Sequence, residues 1–202
     1  RSSSIETAQA LSRKVIYGMD NPIAARQSQA TIKAVTREDI LQAFKKYIIP
    51  NNAALAVVGD VTVAEVKELL SKHVQAWKKG PDPKVDLPRA KVEPAGVYFV
   101  NRPGSVQRAV LVSALAHGVE HEDWIPVNVA TAYFGGGFGS VLFETLRETH
   151  SYTDSPFGFT TRGANDNRST VGAEVRLSVT DSALNVILAE LRSLVTMGPD
   201  PA

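Results

Sequence analysis

Two groups of residues could do chemistry, and the first is His117-Gly118-Val119-Glu120-His121, in the order H-x-x-E-H. Two imidazoles one helical turn apart can hold a zinc ion, and the glutamate between them can serve as base toward a metal-bound water. That chemistry needs a helix through both histidines and a third protein ligand from elsewhere in the chain. The local sequence opposes the helix. Gly118 is a poor helix former, the residues up to Leu115 read as a strand, and Pro126 follows shortly after His121. Asp123 reads as the cap of a helix that begins after the histidines, with Pro126 tolerated in its first turn. The pentapeptide is expected to be a solvent-exposed turn, and no metal ligand is expected in this chain.

The second group surrounds Arg147. The run Phe134-Gly135-Gly136-Gly137-Phe138-Gly139-Ser140 ends one apolar helix, and Val141 to Glu148 starts another at once. Glycine permits positive φ and close packing of two elements, so the run predicts a tight elbow that aims Arg147. A guanidinium offers several fixed donors to a peptide carbonyl. Taken locally, Arg147 could equally pair with Glu144 one turn earlier on a solvated helix. Tyr152 and Asp154 follow on a predicted strand and would share a face if it were regular. Phe138 either rims a cleft or fills the space beneath the elbow.

The elements that must position these groups have their own signals. Ile5, Ala8, Leu11, Val15 and Ile16 predict an amphipathic helix that Asp20-Asn21-Pro22 breaks. Thr36 with Asp39, and Thr62 with Glu65, predict capping boxes for two more helices. Ala53 to Val58 is a short apolar run that predicts a buried strand. Val97 to Val100 and Ala109 to Leu115 predict two strands joined through Pro103-Gly104. A helix is expected from Trp124 to Phe134. Tyr152 to Thr161 and Ser169 to Val179 predict a hairpin around Gly163-Ala164-Asn165-Asp166-Asn167, and Asp181 or Ser182 is the expected cap of the last helix. Helix and strand alternate without regular βαβ spacing, which predicts α+β. Trp77 and Trp124 are expected as packing anchors. Asn51, Asn52 and Gly59-Asp60 are expected as turn formers, and His73 as a complement to a helix C-terminus.

The chain has 202 residues, a net charge of +1 and no cysteine, which excludes disulfides and thiolate metal sites. No basic stripe or charge block points to nucleic acid, no apolar run reaches membrane-spanning length, and the first residues do not read as a signal peptide. Lys78 to Pro94, with four prolines and few large apolar groups, predicts a linker. The expected division is 1–77, a linker at 78–95, and 96–202. The chain opens inside polar, helix-like sequence and stops after Pro199-Asp200-Pro201-Ala202, the pattern expected of a piece of a longer protein.

Gly135–Gly137, Ser140-Val141-Leu142-Phe143, Leu146-Arg147-Glu148 and Ser151-Tyr152-Thr153 together resemble the second domain of pitrilysin-type (insulinase-like) zinc metallopeptidases, in the processing-protease branch. Arg102-Pro103-Gly104-Ser105-Val106-Gln107 resembles that domain's opening strand pair. Pro50 to Ala53, with Val57-Val58-Gly59-Asp60, resembles a strand late in the family's first domain. The resemblance implies two related α+β domains, with mainly antiparallel sheets covered by helices on one side: the later part of the first, and a second that binds no metal. It implies that Arg147, with a tyrosine on the next strand, holds substrate opposite a zinc ion. The family tyrosine falls on Asp154 here, and an aspartate, which only accepts hydrogen bonds, departs from that pattern. Tyr152 is the nearby substitute. Zinc is expected in the intact enzyme or a partner subunit, and not on this chain; were His117 and His121 to hold it, the family's spacing of its third ligand would point to Glu190. The implied partners are a peptide or unfolded protein and another metallopeptidase-fold domain or subunit. This piece alone is expected to be inactive. The rival expectation is a non-catalytic structural or peptide-binding subunit of the same fold. Periplasm follows by analogy with exported bacterial relatives, with cytoplasm as the alternative.

Overall fold

The computed structural model describes residues 3–199, so the Asp200–Ala202 tail lies outside the described residues. Four helices open on reciprocal side-chain caps: α1 (Ser4–Tyr17) on Ser3 and Glu6, α2 (Gln29–Ala34) on Ser28 and Thr31, α3 (Arg37–Tyr47) on Thr36 and Asp39, and α4 (Val63–Val74) on Thr62 and Glu65. Each box satisfies two backbone N–H groups that a helix start leaves free. α1 stops at Gly18, at φ 106°. The break that follows is built by Asn21, which donates to the Tyr17 carbonyl and accepts from the Ile23 N–H.

The chain forms two compact units. Gln27–Asp86 is one, and the described residues on either side of it make up the other. In space, therefore, α1 belongs with the sheet of the later residues, whereas the division at residue 77 sets it beside α3 and α4.

The Gln27–Asp86 unit contains α2, α3 and α4, none with a buried residue. Ile40 and Phe44 of α3 and Leu69 of α4 stand exposed at the helical spacing that core contacts require. Ala53 to Val58, expected to be a buried strand, belongs to no strand and is exposed, with Val58 99% exposed. A strand exists only through pairing, and no neighbour offers its edge here among the described residues. Val97 to Val100 departs from expectation for the same reason and is also exposed and unpaired.

In the other unit, β1 (Gln107–Ala116), β2 (Phe157–Thr160) and β3 (Asn167–Arg176) form an antiparallel sheet of order β1-β3-β2. β1 pairs with β3 from Gln107–Arg176 to Ala116–Asn167, and β2 pairs with β3 from Phe157–Gly172 to Thr160–Ser169. α5 (Trp124–Gly135) and α6 (Thr180–Met197) pack on the apolar face. There Val110, Val171, Ala173 and Val175 meet Phe134, Leu142, Leu146, Ala183 and Ile187. Neither Asp181 nor Ser182 caps α6. The helix starts earlier, after a tight 3₁₀ turn at Leu177–Val179, without a side-chain cap. The layout is α+β, as the alternation of elements implied.

α1 lies on the opposite face, through polar contacts. Ser12 donates to Ser113 at 2.7 Å, and Ser113 shares a hydrogen bond with Thr170 at 3.0 Å. Arg168, 2% exposed, donates to Ser12 Oγ at 2.6 Å and lies 5.6 Å from the Phe159 ring. Burial pulls its pKa below the usual arginine value, and among the described residues no carboxylate pairs with it. The end of the predicted linker is also pinned here. Ala90 N–H donates to Asp166 at 2.6 Å, and Lys91 and Glu93 N–H donate to the Tyr17 and Val15 carbonyls.

One close approach fixes how α5 meets the sheet. A side chain at Gly135 would meet the Gly158 nitrogen at 2.7 Å and its Cα at 2.8 Å. Gly135→Ala is expected to lower stability by about 1–3 kcal/mol through overpacking, read as a lower urea midpoint at unchanged slope. Acid should act on the caps. Hydrogen bonds from the Thr36 hydroxyl and N–H hold the Asp39 carboxyl below its ordinary value, and those from the Thr62 N–H and hydroxyl do the same for Glu65. Their contribution is fully present above the ordinary carboxylate pKa and is lost as pH falls through the lowered native one. Carboxylate NMR titrations should therefore give midpoints for Asp39 and Glu65 below those of peptide controls, with first-turn amides of α3 and α4 shifting in step.

Candidate functional site

The elbow is built as the glycines require. Gly136 closes α5, its N–H donating to the Ala132 carbonyl at 2.7 Å. Gly137 and Gly139 take φ 136° and 80°. Ser140 then starts the next turn, its hydroxyl accepting from the Phe143 N–H. Phe143–Thr149 is a π-helix, a wide turn in which the His150 N–H reaches back to the Thr145 carbonyl at 3.1 Å.

Leu142 and Leu146 are fully buried, which fixes the rotation of this helix and leaves Arg147 at its rim. The guanidinium carbon lies 4.6 Å from the Phe143 ring centre and 5.9 Å from that of Phe138, and the two rings meet edge to face at 4.8 Å. Phe138 is 86% exposed, so it rims the surface and does not fill space beneath the elbow. Arg147 Nε lies 3.5 Å from Glu148 Oε1, and the ion pair is therefore with Glu148, not Glu144. The result is a half-exposed cation on an aromatic platform, with N–H donors left to offer.

After the π-helix the chain turns through Ser151 at φ 51°. Residues 152–156 belong to no strand, because β2 begins at Phe157, so the period-two relation between Tyr152 and Asp154 does not apply. Tyr152 N–H donates to the Leu146 carbonyl, while its ring packs against the core and stacks on His150 at 4.9 Å. Asp154 is exposed and lines a cleft of about 310 Å³ with Ile5, Gln107, Thr153, Ser155, Phe157 and Glu174. No hydrogen bond or ion pair joins Arg147 to Asp154 or Tyr152 among the described residues. Glu174 and Gln107 carry no local signal in the sequence. They reach Asp154 only because the β1–β3 register places Gln107 beside Arg176, one pleat from Glu174.

His117 to His121 form a turn and not a helix. The two imidazoles stack at 3.8 Å with planes 8° apart, and Asp123 Oδ2 lies 3.6 Å from His121 Nδ1. Asp123 precedes α5 but makes no side-chain cap bond. Glu190 sits on α6 and is not among the groups within ligand distance of the histidines. A zinc site of the H-x-x-E-H type needs a helical His pair, a glutamate base between them and a third ligand, so these residues do not fit one. Of the remaining candidates, Trp77 donates to the Ile48 carbonyl, Asn51 to Gly80 and Asn52 to Tyr47, all as local structural bonds. Trp124 has a buried, unpartnered indole N–H, and Arg162 lies 5.6 Å from its ring.

No curated protein matches the sequence. Among solved structures, the chain is similar to the peptidase M16 inactive domain from Pseudomonas fluorescens, with TM-score 0.84 and 21% identity over 98% of this chain and 48% of that one. It is similar to a protease from Helicobacter pylori, with TM-score 0.75 and 22% identity over 86% of this chain and 43% of that one. A chain of complex III2 from Candida albicans gives TM-score 0.67 and 10% identity over 96% of this chain and 53% of that one. These likenesses show the fold, and the chain spans about half the length of the structures it matches. The family described as Peptidase M16 inactive domain matches residues 34–202. Since that match takes in most of the chain, the protein belongs to the peptidase M16 family and carries its inactive domain.

Proposed function

We propose that this chain is the substrate-holding part of a zinc-dependent metalloendopeptidase whose metal is held by another domain or by a partner subunit. The observation that carries this reading is the Arg147 guanidinium, half exposed on the Phe138 and Phe143 rings with donors to spare. Those donors suit a peptide carbonyl, and Phe138 offers an apolar surface beside it. The aromatic platform keeps the cation oriented before substrate arrives, so less side-chain entropy is lost on binding. Tyr152 anchors the following segment to the core, and Asp154, exposed in its cleft, is the residue that the resemblance sets where the family has its tyrosine. Zinc, held by that other domain or subunit, would supply the activated water. The partner is another metallopeptidase-fold domain or subunit. The exposed apolar residues of α2, α3 and α4 and the unpaired run at 53–58 supply the surface such a partner would cover.

A second reading is a non-catalytic structural or peptide-binding subunit. Asp154 favours it, because a carboxylate repels the oxyanion that a tyrosine hydroxyl would stabilise. Zinc content and cleavage of an unstructured peptide, measured on the protein with its metallopeptidase-fold partner, separate the two. Stoichiometric zinc with cleavage supports the enzyme, and neither supports the scaffold.

In a cleaving complex, Arg147→Ala is expected to lower kcat/KM about 10- to 100-fold, a loss of about 1.4–2.7 kcal/mol of transition-state stabilisation, with Arg147→Lys in between. An unchanged kcat/KM would remove Arg147 from the site. Asp154→Tyr is expected to raise the cleavage rate in the same assay, and no change would place position 154 outside the reaction.

A further inference from the structure

We propose that His117, His121 and Asp123 form an open surface site for a divalent transition-metal ion such as Zn2+. Each residue offers one ligand atom, and these atoms all lie within 4.8 Å of one another. Two imidazoles and a carboxylate are a donor set that suits Zn2+ and its neighbours and suits Ca2+ or Mg2+ poorly. Sequence order suggested His117, Glu120 and His121 acting together. The fold replaces Glu120 with Asp123, because the turn carries the chain back past His121 before α5 begins.

The backbone bearing these side chains is held from three sides. Asn167, 1% exposed, donates to the His117 carbonyl at 2.8 Å. Val119 N–H donates to the Gly163 carbonyl at 3.0 Å, and His121 N–H to the Gly118 carbonyl at 3.1 Å. Gly118 is pressed so closely on the Ala164 and Asn165 carbonyls that no Cβ would fit there. In the metal-free turn the Asp123 N–H donates to His121 Nδ1 at 3.2 Å, a hydrogen bond that gives way when the ring takes an ion, because a neutral imidazole has a single lone pair to offer. Much of the loop entropy that a metal must otherwise overcome is therefore already removed by folding.

The arrangement is not yet that of a bound ion. Bonds of about 2.0–2.1 Å to a tetrahedral ion set neighbouring donors about 3.3 Å apart, and stacked rings present their lone pairs side by side. All three side chains are exposed, so capture needs rotation of the imidazoles about their side-chain torsions and loss of the bond from the Asp123 N–H. Water completes the coordination. The site is accordingly of modest affinity.

The test is calorimetric titration of the chelator-treated full chain with ZnCl2, and it is independent of any peptide. One ion per chain is expected, with Kd on the order of 10 µM. His117→Ala and His121→Ala should each weaken binding at least about tenfold, and His150→Ala should leave it unchanged. Paramagnetic broadening in the unmutated chain with Cu2+ covers the case of a variant that does not fold. The His117 and His121 ring resonances should broaden before those of His73 and His150. No saturable Zn2+ binding below about 1 mM, unchanged affinity in His121→Ala, or broadening first at His73 or His150 would each overturn the proposal.

Discussion

Gly135 lying against Gly158 is the contact on which the rest of the site depends. With no side chain on either residue, α5 approaches β2 backbone to backbone, and the Thr160 hydroxyl bonds Thr131 of α5 at 3.0 Å. Because α5 is held there, Phe134 reaches the core and the glycines after it must reverse the chain at once. Leu142 and Leu146 then enter the same core as Phe134. Their burial fixes the azimuth of the π-helix, and Arg147 is carried to the rim as a consequence. The aim of the guanidinium is thus set by helix-to-sheet packing some distance from it, and only then by its own aromatic platform.

β3 is held on its two faces by different physics. On one face Val171, Ala173 and Val175 join the apolar cluster, where burial of hydrocarbon supplies the stabilisation. On the other, Arg168 and Thr170 meet Ser12 and Ser113 in a chain of hydroxyl and guanidinium hydrogen bonds. Such a network is directional, so it fixes the position of α1 on the sheet, at the expense of desolvating a cation that has no carboxylate partner among the described residues. Glu174 and Gln107 belong to this polar side, which explains why the cleft at Asp154 is lined mostly by polar groups.

The Gln27–Asp86 unit poses the opposite problem. Its helices are well capped and amphipathic, yet their apolar stripes face water. Capping decides where a helix starts, but the stability of an amphipathic helix comes mainly from burying its stripe. Membership of the peptidase M16 inactive-domain family fixes the fold that carries these stripes and leaves open what they meet. It fits equally well whether the whole acts as a protease or as a scaffold, since fold alone does not fix chemistry.

Local rules read this chain well wherever a local interaction decides the outcome. Thr36 with Asp39, Thr62 with Glu65, Asn21 after α1 and the triple glycine after α5 each act over a few residues, and the helices and elbow follow from them. The H-x-x-E-H turn was legible for the same reason, because Gly118 and the nearby strand preclude a helix. Strands were less legible. Gln107–Ala116 and Ala53–Val58 are both apolar runs, but only the first finds a partner edge, and pairing is a property of distant sequence. The meeting of Asp123 with His117 and His121, of Asp154 with Glu174, and of Arg147 with Phe138 likewise depended on tertiary structure. Sequence by itself determined the family, the caps and the elbow. Which groups share a site was decided by packing, because burial of Leu146 and the β1–β3 register orient side chains that sequence spacing alone leaves free to point anywhere.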